Sequence, residues 1–385
     1  ESIAEWAAKI TDTAVELFGE LPVKDKYTFI SVGSDQGAGG LEHRDGSVLM
    51  MPVTTFQELD RLTTYQSLVA HEYLHLWNVK RLVPVALINP DLTTPAHTES
   101  LWVAEGWTAF YDEVLPVRAG VWTAPAYLAM AATQAHSVLQ RPGAQLQSVR
   151  RASHEAWVKQ YIRDENTPNV GVNYYGHGAV LAWCIDLLIR EAAPGGAGLD
   201  DAFRLLWQRF GRTGRGYTER DVQDAVNEAA GTNLDAFFDE YVEAPSLPPI
   251  KALVDVVGLR FAPATENLVP HLGAVVADEN GLVRLTNVLR GGPAWEAGLS
   301  GGDLLLSLNG QRVGVGRLDV HLFALTPGEP VDVAVFRGSR MLHHTVHLGT
   351  HQAPDRLVRV PAPDDRQRAA YRSWLGANLD DISAV

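Results

Sequence analysis

The sequence runs to 385 residues, more than one hydrophobic core usually fills, and so predicts two or three domains rather than a single small module. Apolar residues make up 46% and charged residues 20%, with 10 Trp, 11 Tyr and 11 Phe, a composition that packs into cores and excludes a disordered chain. Lys and Arg number 32 against 46 Asp and Glu, and the net charge of −14 has the wrong sign for a surface that tracks phosphates or anionic membranes.

In chain order, Ile3, Trp6, Ala7, Ile10, Ala14 and Leu17 recur at helical spacing and predict a first helix over 2–18 closed by Gly19. Tyr27 to Val32 reads as a strand, followed by a glycine-rich turn (Gly33, Gly37, Gly39, Gly40) and a second apolar run, Val48 to Val53. Thr55 and Glu58 stand at capping-box spacing, and the helical pattern after them continues to about Leu82, where Pro84 stops it. Further helices are expected near 98–115, 123–140, 150–163, 175–192, 199–210, 218–229 and 233–242. The segment Ala244-Pro245-Ser246-Leu247-Pro248-Pro249 favours an extended spacer. Beyond it come short β-branched runs (253–257, 274–277, 283–288, 304–308, 331–336, 344–348), then a helix around 365–375. The expected organisation is α+β: a mostly helical domain with a small sheet over 1–244, a linker at 245–250, a strand-rich domain over 251–350, and a C-terminal extension over 351–385.

Cys184 stands alone, so neither an intrachain disulfide nor a cysteine metal cluster can form. No apolar stretch is long enough to span a bilayer, which leaves a soluble chain whose compartment, bacterial cytoplasm or periplasm, the residues do not decide. The start at Glu1 rather than Met fits a processed form or a fragment.

The chemistry concentrates in His71-Glu72-Tyr73-Leu74-His75. On a helix, residues four apart share a face, so both imidazoles of this HExxH pattern can reach one cation while Glu72 overlooks it. Zinc in a hydrolase takes three protein ligands and keeps one position for water. Asn78 and Arg81 exclude the extended metzincin pattern, which needs Gly and His there. The next helix offers Glu99 and Glu105. Glu105 stands among apolar residues, where an unpaired carboxylate would be costly, whereas Glu99 follows a polar loop and serves as a helix-start charge; Glu105 is therefore the expected third ligand.

Gly40-Leu41-Glu42-His43, the HExxH pentapeptide with Trp77-Asn78-Val79-Lys80-Arg81, Leu101-Trp102 with Glu105-Gly106, and Asn173-Tyr174-Tyr175-Gly176-His177-Gly178 together span most of the first domain. In these motifs the sequence resembles the glycyl aminopeptidases, thermolysin-like gluzincins with a C-terminal PDZ domain. The resemblance implies a zinc-dependent aminopeptidase that removes small first residues such as Gly or Ala, with one Zn2+ on His71, His75 and Glu105 and with Glu72 as general base. It implies that Asp112 orients a zinc histidine, that Tyr175 donates to the oxyanion, and that Glu42 receives the substrate's free amino group. Gly39 and Gly40 would let the substrate backbone lie against an edge strand. The sequence departs from the family at His177, where Lys is usual, and family members carry a further N-terminal β domain ahead of the matching region.

In the last module, Gly292-Pro293-Ala294-Trp295-Glu296-Ala297-Gly298-Leu299 and the run Gly301 to Gly310 resemble the bacterial PDZ signature. The resemblance places a peptide groove at Leu272, Gly273 and Ala274, and makes peptides or proteins the expected partners. Two other readings remain open. A thermolysin-type zinc endopeptidase needs the same metal site but no amine-binding acid at Glu42. A non-catalytic PDZ peptide-binding protein is opposed by the intact Glu72.

Overall fold

The structure, a computed structural model, describes residues 2–35, 37–56, 62–193, 195–264, 269–351 and 353–384. The chain opens with α1 (Ile3–Phe18). Ser2 Oγ accepts from the Glu5 amide at 3.3 Å and the Glu5 carboxylate accepts from the Ser2 amide at 2.7 Å, satisfying donors that the helix start leaves free. Gly19 ends the helix at φ 76°. Three strands follow, β1 (Thr28–Ser34), β2 (Gly39–His43) and β3 (Gly46–Pro52). The central β3 runs parallel to β1 and antiparallel to β2, so β2 is an edge strand, and α2 (Leu62–Leu74) lies against it.

The helix expected through Leu82 stops at Leu74, and Glu58 of the expected capping box lies outside the described residues. The cause is tertiary. His75 donates from Nδ1 to the Asn78 carbonyl at 2.6 Å, and Asn78 Nδ2 donates to the carbonyls of Val103 and Ala104 at 3.0 and 3.1 Å, which pulls residues 76–81 out of the helical path. The next helix enters as a π turn over Trp102–Trp107 and continues as α3 (Thr108–Arg118). Then come α4 (Ala124–Leu139), α5 (Val149–His154), α6 (Ala156–Lys159), α7 (Thr167–Val170), α8 (Tyr174–Ala192), α9 (Leu199–Leu206), α10 (Glu219–Ala230) and α11 (Asp235–Phe238). The single helix expected over 150–163 is broken at Glu155, whose carboxylate takes Gln147, Arg151 and Lys159. Central to this domain is α8, in which Leu181, Cys184, Ile185 and Leu187 are wholly buried.

Ile250 to Val257 corrects the reading of 253–257 as a strand. It forms α12 (Ile250–Leu253) and a 3-10 turn over Val254–Val257, because Ile250, Val254 and Val257 repeat at i, i+4, i+7 and all bury in the helical core. The Pro-rich segment 245–250 therefore does not separate the two cores. After β4 (Leu259–Ala262) the chain builds a second unit, with β5 (Val269–His271), β6 (Ala274–Glu279), β7 (Leu282–Val288), α13 (Pro293–Glu296), β8 (Leu304–Leu308), β9 (Gln311–Arg312), α14 (Leu318–Phe323), β10 (Pro330–Arg337), β11 (Arg340–His347) and β12 (Gly349–His351). Its main sheet runs β11-β10-β8-β7-β6, with its own core from Leu272 to Leu348.

The chain then returns to the first core. β13 (Arg356–Arg359) pairs with β4, and Trp374 of α15 (Asp365–Leu375) stacks on Trp183 of α8 at 5.6 Å, so 356–382 packs into the helical domain rather than extending from it. The strand-rich unit is an insertion between β4 and β13. Asn169 clamps it from the helical side, donating to the Val288 carbonyl at 2.8 Å and accepting from the Arg290 amide at 2.8 Å.

The π turn and α8 cross where both carry glycine. A Cβ on Gly106 would stand 2.6 Å from Gly178 Cα and 2.9 Å from the Tyr174 carbonyl oxygen. Alanine favours a helix over glycine by about 1 kcal/mol, but overpacking against backbone that cannot yield costs about 1–3 kcal/mol. Gly106→Ala should therefore lower the urea unfolding midpoint; an unchanged midpoint would show that the two helices part freely.

Candidate active site

α2 presents His71 and the turn after it presents His75, one helical turn apart, with ring centroids at 4.7 Å. The π turn brings Glu105 to both: its Oε2 lies 3.2 Å from His71 Nε2 and 3.3 Å from His75 Nε2. One ligand atom from each of the three residues lies within 4.8 Å of the others. The far ring nitrogens are both engaged, His71 Nδ1 with Asp112 Oδ2 at 2.8 Å and His75 Nδ1 with the Asn78 carbonyl, which aims both Nε2 atoms at Glu105. Asp112 thus stands where the sequence reading put it, beside a histidine of the pair. Glu99 is elsewhere, held by Arg150 Nε at 2.8 Å.

These residues fit a metal by a further observation. Glu72 is buried, and its Oε2 has no hydrogen-bond partner, an arrangement that a water held by a cation beside it would complete. Burial raises the Glu72 carboxyl above its ordinary range, and the Glu42 and Glu105 charges add to the rise while the two histidines oppose it. Gly40 of β2 passes directly over Glu72; a Cβ there would stand 2.1 Å from Glu72 Oε1. Two strand residues on, Glu42 groups with Glu72 and His75, one oxygen or nitrogen of each within 4.8 Å of the others. The Glu42 carboxylate also holds an ammonium, Lys80 Nζ at 3.0 Å. Gly39 pairs with Met50 on the inner side of the edge strand.

The Tyr175 ring lies nearly parallel to His71 at 6.2 Å, and its hydroxyl is 3.4 Å from that of Tyr161. Burial raises the phenol well above its usual range and keeps it a neutral donor. Tyr174 is 1% exposed and packs inward, although its hydroxyl also reaches Tyr161, at 3.3 Å. His177, in the place where the family has Lys, is a buried imidazole pushed down to about 4 by burial and by the Arg141 charge, so it adds no cation here.

Three residues had no assigned role in the sequence reading. Asn78 lay within a quoted motif, and its side chain ties the histidine loop to the π turn, also donating to Thr108 Oγ1 at 3.1 Å. Lys80 lay in the same motif. Tyr161 carried no signal, because its partners are 13 and 14 residues away across a loop.

In the second unit, Leu272 is buried and its carbonyl accepts from Ala294 N at 2.8 Å. Gly273 adopts φ 75°, and Ala274 begins the edge strand β6. Gly273 also lines a cavity of about 630 Å3 shared with Arg290, Gly292, His347 and, from the helical domain, Gln140 and Pro142.

A helical domain with a small sheet, carrying two histidines and a glutamate on one point beside a buried glutamate, is the architecture of a peptidase domain. Residues 64–181 match the family model described as M61 glycyl aminopeptidase, and residues 270–348 match that of the PDZ domain. The two matches agree with the resemblance that the motifs carry, and His71, His75, Glu105 and Tyr175 fall inside the first matched region. It is similar in structure to an aminopeptidase N family protein from Idiomarina loihiensis, with 27% identity and a TM-score of 0.87 over 97% of this chain. The chain spans 66% of that protein's length. It also matches the HtrA-type protease AlgW with decapeptide (24% identity, 23% of this chain, 31% of that one, TM-score 0.22) and a serine endoprotease from Yersinia pestis (19%, 22% and 30%, TM-score 0.20), likenesses too slight to support any inference. The curated proteins gave no match.

The contact between Gly40 and Glu72 yields a test. Gly40→Ala should push the Glu72 carboxylate aside, lowering turnover on the order of a hundredfold, since small misplacements of a reacting group have effects of that size. The melting temperature should barely move, because only the flexible end of one side chain must shift. Full activity would mean that the Glu72 position is not critical.

Proposed function

We propose that the protein is a zinc-dependent aminopeptidase that hydrolyses the N-terminal peptide bond of peptides, with a preference for small first residues such as Gly or Ala. The observation that carries the reading is the convergence of His71, His75 and Glu105 on one point with Glu42 and the unpartnered Glu72 oxygen beside it. One zinc ion on His71 Nε2, His75 Nε2 and the Glu105 carboxylate would polarise the scissile carbonyl and acidify a water. Glu72 accepts the proton of the attacking water at Oε2 and passes it to the leaving amine; its burial, which raises its proton affinity, suits both transfers. Tyr175 donates its hydroxyl proton in a hydrogen bond to the oxygen that gains charge. Asp112 holds His71 in the tautomer that leaves Nε2 free to bind. Glu42 pairs the substrate's ammonium, and the short span from Glu42 to Glu72 leaves room for one residue before the cleaved bond. The PDZ domain accepts an extended peptide along β6 near Leu272, Gly273 and Ala274.

Lys80 supports a second reading. Its ammonium already pairs Glu42, and if the pair persists with substrate bound, no free amine is selected and the site cuts internal bonds as an endopeptidase. A partly exposed pair of this kind contributes about 1 kcal/mol or less, so a substrate ammonium displaces it readily.

Zinc content after dialysis tests the metal site. Asp112→Ala should weaken zinc binding by about 10–100-fold, the usual effect of losing a partner of a ligand histidine. Glu105→Ala, which removes a ligand, should weaken it more; equal retention by wild type and Glu105→Ala would move the site elsewhere. Peptides with free and acetylated amino ends test the reaction. The wild type should strongly prefer the free form, and Glu42→Ala should narrow that gap; equal cleavage of both forms at internal positions by the wild type would favour the endopeptidase.

A further inference from the structure

Four large apolar side chains stand exposed within six residues beside the site: Trp157 is 53%, Val158 62%, Tyr161 62% and Ile162 69% exposed. Single exposed apolar residues are ordinary, but a contiguous group at the rim of a site marks a binding surface. The group is not loose. Trp157 Nε1 donates to the Ala96 carbonyl at 3.3 Å, its ring lies 6.1 Å from that of Tyr161, and the Tyr161 hydroxyl meets both Tyr174 and Tyr175.

Its place along the site gives it an occupant. Glu42 adjoins Glu72 and His75 at one end; His71 comes next, then Tyr175 stacked on it, then Tyr161 against Tyr175. A peptide with its amine on Glu42 and its first carbonyl over His71, His75 and Glu105 must continue past Tyr175 onto this group. We propose that Trp157, Val158, Tyr161 and Ile162 bind the part of the substrate beyond the cleaved bond, so that the enzyme selects peptides with a large apolar or aromatic residue in the second position. The inference rests on the aminopeptidase reading and adds to it a substrate class: a small first residue followed by a bulky apolar one. The small first residue fits between Glu42 and the histidine pair, while the bulky one spreads over an open surface.

Peptides Gly-Phe-Ser-Gly, Gly-Leu-Ser-Gly and Gly-Ser-Ser-Gly test it on the zinc-loaded full chain. Covering an apolar side chain on an open surface should raise kcat/KM of the Phe and Leu peptides about tenfold over the Ser peptide. The difference should lie in KM, because the contact is the same in ground and transition states. The double variant Trp157→Ser, Ile162→Ser changes only exposed positions and should bring the ratio close to one, whereas Tyr161→Phe, which keeps the ring, should preserve it. Turnover at equal rates for the three peptides, or a ratio that survives the double variant, would overturn the inference and leave the aminopeptidase reading standing. No turnover of any of the peptides would overturn both. A concentration-dependent dimer that the double variant dissociates, with the peptide ratio unchanged, would assign the surface to a second copy of the chain instead.

Discussion

The backbone contact between Gly106 and Gly178 fixes the distance between the two helices that carry the site. A Cβ on either residue would stand within 3.0 Å of backbone in the other helix, so the crossing exists only because both positions lack one. Glu105 precedes the first glycine and Tyr175 stands three residues before the second. The crossing therefore sets how far the carboxylate and the phenol lie from the histidine pair. The π turn belongs to the same constraint, since the extra residue in that turn aims Glu105 along the face that meets α2.

Asn78 adds the third side of this frame. Its amide binds Val103 and Ala104, inside the π turn, while its carbonyl binds His75, so one residue couples the second histidine of the pair to the element that supplies the Glu105 carboxylate. Two buried carboxylates near the frame have cationic or imidazole counterparts. Asp112 faces His71, and Asp186 faces Arg190 at 2.6 Å within α8. Glu72 differs from these two, with one oxygen unpaired at the centre of the site. Other buried polar atoms lack partners too, Asn78 Oδ1 and His177 Nδ1 among them, but the Glu72 oxygen is the one that stands beside the point where His71, His75 and Glu105 converge.

The PDZ domain is built into this frame as well. The chain leaves the helical core at β4 and re-enters it at β13, and those two strands pair with each other, so both connections start from one fixed place. Asn169 of α7 holds the domain at Val288 and Arg290, and the short segment that leads into α7 carries Tyr161, which touches Tyr175. The PDZ domain and Tyr175 are thus joined through a single short segment of chain.

The sequence by itself picked out the side chains that converge, His71, His75 and Glu105. The spacing of His71 and His75 follows from helical geometry alone, Glu105 could be chosen over Glu99 because a carboxylate among apolar residues needs a partner, and most helices and strands were legible from periodicity. The misread elements share a cause. Ile250, Val254 and Val257 look like a strand if counted as β-branched residues and like a helix only once a core exists to bury every third or fourth one. The helix after Thr55 stops at Leu74 because Asn78 finds acceptors 25 and 26 residues further along, a contact that no local pattern encodes. Lys80 against Glu42, Tyr161 against Tyr175, and the return of 356–382 into the first core are equally non-local. Local propensity and periodicity act within a few residues and can be read from the chain; the partners of Glu42, Glu72 and Tyr175 depend on which surfaces meet, and only packing decides that.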